Sequence, residues 1–169
     1  SQTRLKTWGK ETDATCPFCK QAAETTEHFS PWCPTFSDAR TAAHDKTWGA
    51  TWAAIIEHLE GGWEAIHDTT LHDTELQCAE EWTNHKPDGI LLNSKSGTII
   101  IVEFKRSTGH TGQDTEAHHQ EKIDKYKDLT ENITAMNHSQ YPKGASLLAF
   151  VCTFTGALDE ERWQNNIAR

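Results

Sequence analysis

No stretch of this chain approaches the roughly 18 consecutive apolar residues of a membrane-spanning helix, and no signal-peptide pattern is visible. Basic residues are scarce, with Lys+Arg 16 against Asp+Glu 25 and a net charge of −9. That balance argues against a generic basic nucleic-acid binder. It leaves room for an enzyme that gathers carboxylates around metal ions, or for a domain whose DNA affinity comes from its neighbours. The five cysteines are too few and too uneven for a secreted disulfide framework. Three fall in one N-terminal cluster, while Cys78 and Cys152 stand alone in apolar surroundings, so a reducing, intracellular compartment is expected. Internal repeats and low-complexity tracts are missing too. So is an initiator methionine, and the opening SQTRLKTWGK reads as a domain cut from something longer or as a trimmed chain.

What is present fits one domain with a small appendage. Of the 169 residues 36% are hydrophobic and mean hydropathy is −0.71, which gives a modest core under a polar surface. Residues 13–36 have almost no hydrophobic period and several turn formers. Trp48, Trp52, Ile55, Ile56 and Leu59 then recur at helical spacing, predicting an amphipathic helix over 37–60, capped by Ser37 or Asp38 and stopped at Gly61–Gly62. Residues 63–70 read as a short strand and 74–82 as a short helix. Strands follow at 86–93 and 98–104 around a turn at 94–97. Ile99–Val102 is apolar on both faces, as in a covered central strand. A Gly-rich loop at 107–113 leads to a helix over 114–133 with Ile123, Tyr126 and Ile133 inward. A buried strand at 147–154 and a closing helix at 159–168 complete a mixed sheet flanked by helices, an α/β (α+β) class.

Two groups of residues carry chemistry. Cys16, Cys19, His28 and Cys33 form C-x2-C-x8-H-x4-C. A CxxC turn presents two thiolates from one knuckle, and the His and the last Cys complete the four donors that tetrahedral zinc requires. Four protein ligands leave no open position, so a structural Zn2+ is expected. The second group is Asp88, Glu103 and Lys105. Strand alternation puts Glu103 and Lys105 on one face, and the hairpin brings Asp88 to the same end of the sheet. Two carboxylates suit Mg2+ or Mn2+ completed by water and phosphate. A lysine beside them could orient or help deprotonate the attacking water, which makes the parts of metal-assisted phosphodiester hydrolysis. Glu75, Glu80 or Glu81 could add a third acid; spacing does not choose among them.

Pro87–Asp88 followed by Glu103-Phe104-Lys105 resembles the PD-(D/E)xK signature of restriction-endonuclease-like folds. The order of the Cys-Cys-His-Cys module, a helix containing Ala43-His44-Asp45, then Lys86-Pro87-Asp88, then Lys122-x3-Tyr126 is similar to the endonuclease end of site-specific non-LTR retrotransposon proteins, over roughly residues 13–155. The resemblance implies a zinc module at 1–36 and a restriction-like endonuclease domain at 37–169. It implies Asp88 and Glu103 as metal ligands, Lys122 and Tyr126 as further catalytic residues, and Lys86 and Arg106 as DNA contacts. Lysines stand at both candidate places, Lys105 and Lys122, and strand alternation favours Lys105. The implied reaction is nicking of target DNA, leaving a 3′-hydroxyl that primes reverse transcription. The implied partners are target DNA, the element RNA and a reverse transcriptase domain of the same polyprotein, in the nucleus and with no membrane. The alternatives are an inactive nuclease-fold module that binds RNA, DNA or protein, and a PD-(D/E)xK nuclease of repair or defence.

Overall fold

A computed structural model of the chain describes residues 6–9, 14–25, 28, 32–106 and 112–152. The expected closing helix at 159–168 and the loop residues 107–111 lie outside the described residues. The chain forms two compact units, Ser1–Gly49 and Ala50–Arg169. Among the described residues no helix is long and apolar enough to cross a membrane.

Helix α1 (Ser37–His58) runs through the division between the units. A 3-10 turn, Pro34–Phe36, precedes it, and Ser37 already has helical backbone angles (φ −53°, ψ −55°). The helix therefore continues a turn that Pro34 opens, rather than starting from an extended Ser37 cap as expected. Its apolar face is also thinner than its spacing implied. Only Trp52 is buried, and Ile56 stays 46% exposed.

The second unit is an α+β arrangement around a four-stranded mixed sheet in the order β1 (Glu64–His67), β2 (Gly89–Asn93), β3 (Thr98–Arg106), β4 (Gly144–Cys152). Strands β1–β2 and β2–β3 pair antiparallel, while β3 and β4 pair parallel. Parallel neighbours need a long crossover, and helix α2 (Gly112–Met136) supplies it. Tyr126, Leu129 and Ile133 of α2 lie against Ile90, Leu92, Ile99 and Ile101 of the sheet. Ile123, expected on this face, is 37% exposed instead; the buried stripe starts one turn later, at Tyr126. The Trp52 ring lies so close over Gly89 that a Cβ there would sit 2.4 Å from it. Glycine at the start of β2 is thus what lets the indole cover the sheet beside Asp88.

Residues 74–82, expected as a helix, are irregular apart from the 3-10 turn Glu80–Trp82. Two asparagines of the α2 region take over their backbone hydrogen bonds. The Gln77 N–H donates to Asn137 Oδ1 (2.9 Å), Asn137 Nδ2 donates to Gln77 O (2.7 Å), and the Ala79 N–H donates to Asn132 Oδ1 (2.9 Å). Asn137 is buried and also donates to Ile133 O at 2.8 Å. Side-chain amides thus mimic a neighbouring strand, and the local helical preference of 74–82 loses to that tertiary pairing. Asn137→Ala strands both Gln77 groups and should cost about 2 kcal/mol. Urea unfolding of the variant against the parent measures it, and an unchanged midpoint would show that the clamp contributes nothing.

Candidate functional site

In the first unit, residues 14–24 form a miniature hairpin. The Cys16 N–H donates to Ala22 O (2.7 Å), the Glu24 N–H to Ala14 O (2.7 Å) and the Lys20 N–H to Cys16 O (3.0 Å). The tight reversal forces Lys20 to φ 60°, a region costly for a residue with a Cβ. The knuckle turns Cys16 and Cys19 towards the far ligands. His28 is held by its N–H on Thr25 Oγ1 (3.0 Å), and Cys33 by its carbonyl, which accepts from Arg40 Nη1 (2.8 Å).

Cys16 Sγ lies 3.9 Å from Cys33 Sγ, Cys19 Sγ lies 3.2 Å from His28 Nε2, and all four donor atoms fall within 4.8 Å of one another. Zinc–sulfur bonds of about 2.3 Å at tetrahedral angles give an S···S edge of about 3.8 Å. The four residues could therefore hold a metal ion such as zinc. Both Cys16 and Cys33 are fully buried and none of the cysteines is in a disulfide. The backbone N–H of Cys19, more than any other group, holds the Cys16 thiol down to about 6, against the opposing effect of burial. Burial pushes the Cys33 thiol up. Two buried thiols this close, with one biased to thiolate, suit a soft cation.

In the second unit the β2–β3 register pairs Gly89 with Val102, so the next step outward sets Asp88 against Glu103. Asp88 Oδ2 accepts the Phe104 N–H at 2.7 Å. The carboxylate extends the ladder one rung past the end of β2. Glu103 shares the face of Ile99 and Ile101, the face that α2 covers, and is only 2% exposed. Its Oε2 accepts from Lys122 Nζ at 2.5 Å, and its Oε1 is buried with no hydrogen-bond partner. Burial raises the Glu103 pKa, Lys122 opposes that rise, and Asp88 adds to it. Tyr126 is 3% exposed; burial and then the Glu103 carboxylate push its hydroxyl far above the ordinary tyrosine range. Asp88, Glu103, Lys122 and Tyr126 therefore gather where β2 begins alongside β3, three residues before β3 ends.

The other predicted residues are engaged elsewhere. Lys105 pairs not with Glu103 but with Glu121 Oε2 (2.5 Å), an oxygen that also meets His118 Nδ1 at 3.1 Å. Lys105 and then His118 hold the Glu121 carboxyl down to about 2. Lys86 reaches exposed Asp68 at 2.5 Å. Arg106 ends β3 beside Cys152 and draws that thiol down against a larger rise from burial. Glu75, Glu80 and Glu81 are all exposed; burial, then Glu64 and Glu75, raise the pKa of Tyr141, just ahead of β4.

The sequence reading missed His85. Its ring stands edge-on to Tyr126 (5.1 Å between centroids) and to Trp82 (5.7 Å). Its Nε2 is buried without a hydrogen bond. Burial, then Lys125 and Lys122, lower its pKa, so it stays neutral. The available signal was position, immediately before Lys86-Pro87-Asp88. No family model matches the chain, and no curated protein matches it.

The first unit should carry one equivalent of zinc, lost in Cys16→Ser and Cys33→Ser, because removing a thiolate opens a closed four-ligand shell. Elemental analysis of protein purified without added metal measures it. Protein free of zinc and equally resistant to proteolysis would refute the site.

Proposed function

We propose that this chain is a metal-dependent endodeoxyribonuclease domain that nicks DNA by phosphodiester hydrolysis, with a structural zinc module in its N-terminal part. The observation that carries the reading is the Glu103 carboxylate, buried at a strand end with Lys122 on one oxygen and no partner on the other. A buried, under-satisfied carboxylate is costly, and such costs concentrate where chemistry requires them. The donor set fits a hard cation: two carboxylates, one of them with a vacant oxygen. Asp88 and Glu103 would hold Mg2+ or Mn2+, which when bound supplies charge neutralisation for the phosphate and a more acidic water.

The remaining roles follow from charge and placement. Lys122 brings a positive charge to the scissile phosphate and stabilises charge developing on its oxygens. Tyr126, far too weak an acid to ionise near neutrality, serves as a neutral wall and hydrogen-bond donor. Lys105, tied to Glu121, stands at the rim, where it contacts the DNA backbone along with Lys86 and Arg106. This moves the leading catalytic lysine from the strand to the helix. Nicking to leave a 3′-hydroxyl for target-primed reverse transcription, with the element RNA and polymerase as partners in the nucleus, rests on the resemblance of the motif order to the retrotransposon endonucleases.

Plasmid nicking should require Mg2+ or Mn2+, and Glu103→Gln and Asp88→Asn should each lower the rate at least a hundredfold. Asparagine keeps an acceptor for the Phe104 N–H, so the strand end survives the second change. Lys122→Ala should cost a hundredfold or more in single-turnover rate, and Lys105→Ala less. Cleavage in EDTA, or parental rates in either carboxylate variant, would refute the site as drawn, and no cleavage with either Mg2+ or Mn2+ would leave an inactive binding module as the reading. The pH profile supplies a further check. Because burial raises the Glu103 pKa in the metal-free protein and a bound cation opposes that rise, activity at limiting Mg2+ should fall with decreasing pH from above the ordinary glutamate range, and saturating Mg2+ should move the fall to lower pH. An acid limb set at the usual carboxylate value at limiting Mg2+ would contradict that.

A further inference from the structure

We infer that Lys122 is a built-in stand-in for the divalent cation: it holds Glu103 while no metal ion is bound, leaves that carboxylate when one binds, and then turns to the substrate phosphate. The inference rests on the reading of Asp88 and Glu103 as cation ligands.

A carboxylate removed from water has to be answered by a positive charge. Glu103 is 2% exposed, and the Lys122 ammonium at 2.5 Å answers it. Asp88 spends Oδ2 on the Phe104 N–H and adds a second negative charge. Two carboxylates and one ammonium leave the cluster one charge negative, so it attracts a further cation. A doubly charged ion held by the same carboxylates would face the ammonium across a poorly screened gap. Both positive charges cannot be equally favoured there, so Lys122 and a divalent ion compete for Glu103.

Lys122 has somewhere to go. Its Nζ is already 5.4 Å from the centre of the Tyr126 ring, inside the roughly 6 Å reach of a cation–π contact, and its flexible stem can swing without backbone movement. Lys125 sits at 5.0 Å from the same ring, so the seat is shared and the released ammonium is left partly unsatisfied, ready for a phosphate oxygen. Lys105 is held differently, on Glu121, an exposed carboxylate that also meets His118. The exchange would order the events: ion first, lysine second, phosphate third.

The test is Mn2+ binding to the zinc-loaded chain without DNA, followed by electron paramagnetic resonance, in the parent, Lys122→Met, Lys122→Gln and Glu103→Gln. Both Lys122 variants should bind Mn2+ at least tenfold more tightly than the parent, and Glu103→Gln should abolish the site. Saturating Mg2+ should also speed labelling of Lys122 by an amine-reactive reagent in the unaltered protein, read by mass spectrometry, and leave Lys105 unchanged. Equal or weaker Mn2+ binding in the Lys122 variants, with Glu103→Gln still abolishing it, overturns the exchange and leaves the carboxylate site standing. No saturable Mn2+ binding in any form overturns both. Should Lys122→Met fail to fold, Lys122→Gln keeps a donor on Glu103, and the labelling needs no variant. Labelling of Lys122 that ignores Mg2+ overturns the inference by itself.

Discussion

The end of the sheet is organised by one requirement: the Glu103 carboxylate is out of water and needs a cation. The cation comes from α2, so α2 must lie along β3 with Lys122 at the level of Glu103. The same crossing that sets this pair buries Tyr126, Leu129 and Ile133 on Ile99 and Ile101. The apolar contact and the ion pair thus fix one register between helix and strand, and neither is free to slide. A buried ion pair adds little net stability, but a wrong register would leave its charges unanswered, which is strongly penalised.

The segment leading into Asp88 depends on α2 as well. Asn132 and Asn137 hold residues 77–79 by their backbone, and the chain then turns through Glu80–Trp82 to place His85 against Tyr126. Leu71 N–H closes the arc by donating to His85 O at 2.9 Å. Helix α2 therefore positions both the strand residue Glu103 and the loop residues before Asp88. Asp88 itself is fixed by the Phe104 N–H, so the two carboxylates are locked to one strand end through different elements.

Strand alternation and hairpin length made the pairing of Asp88 with Glu103 legible in the sequence, because period two and a short turn allow few registers. The Cys-Cys-His-Cys spacing was legible for a similar reason: a knuckle has little freedom. What alternation cannot provide is the partner across layers. Lys105 and Lys122 are equally charged in the sequence, and only the crossing of α2 over β3 decides which meets Glu103. The helix expected at 74–82 failed on the same ground, since asparagines more than 50 residues away supply its hydrogen bonds. His85 was harder to single out, because a neutral, ring-packed histidine follows no spacing rule and its one signal is its place just before Lys86-Pro87-Asp88. Ile56 and Ile123 show the opposite error, apolar residues at helical spacing that face water.

The distribution of charge sharpens what the carboxylate end can attract. Six basic and six acidic residues precede Ala50, so the whole net charge of −9 falls on residues 50–169. Within that unit three of the lysines assigned to the site are already paired: Lys122 with Glu103, Lys105 with Glu121 and Lys86 with Asp68. A phosphodiester approaching such a surface meets repulsion, whereas a divalent cation is drawn in. Under the proposed function, a cation on Glu103 and Asp88 would reverse the balance there and free Lys122 for phosphate, while Lys105 and Lys86 keep their carboxylates. Affinity for a polyanion would then be conditional on the metal ion, which is how the proposed nuclease reading accommodates a surface that is negative overall.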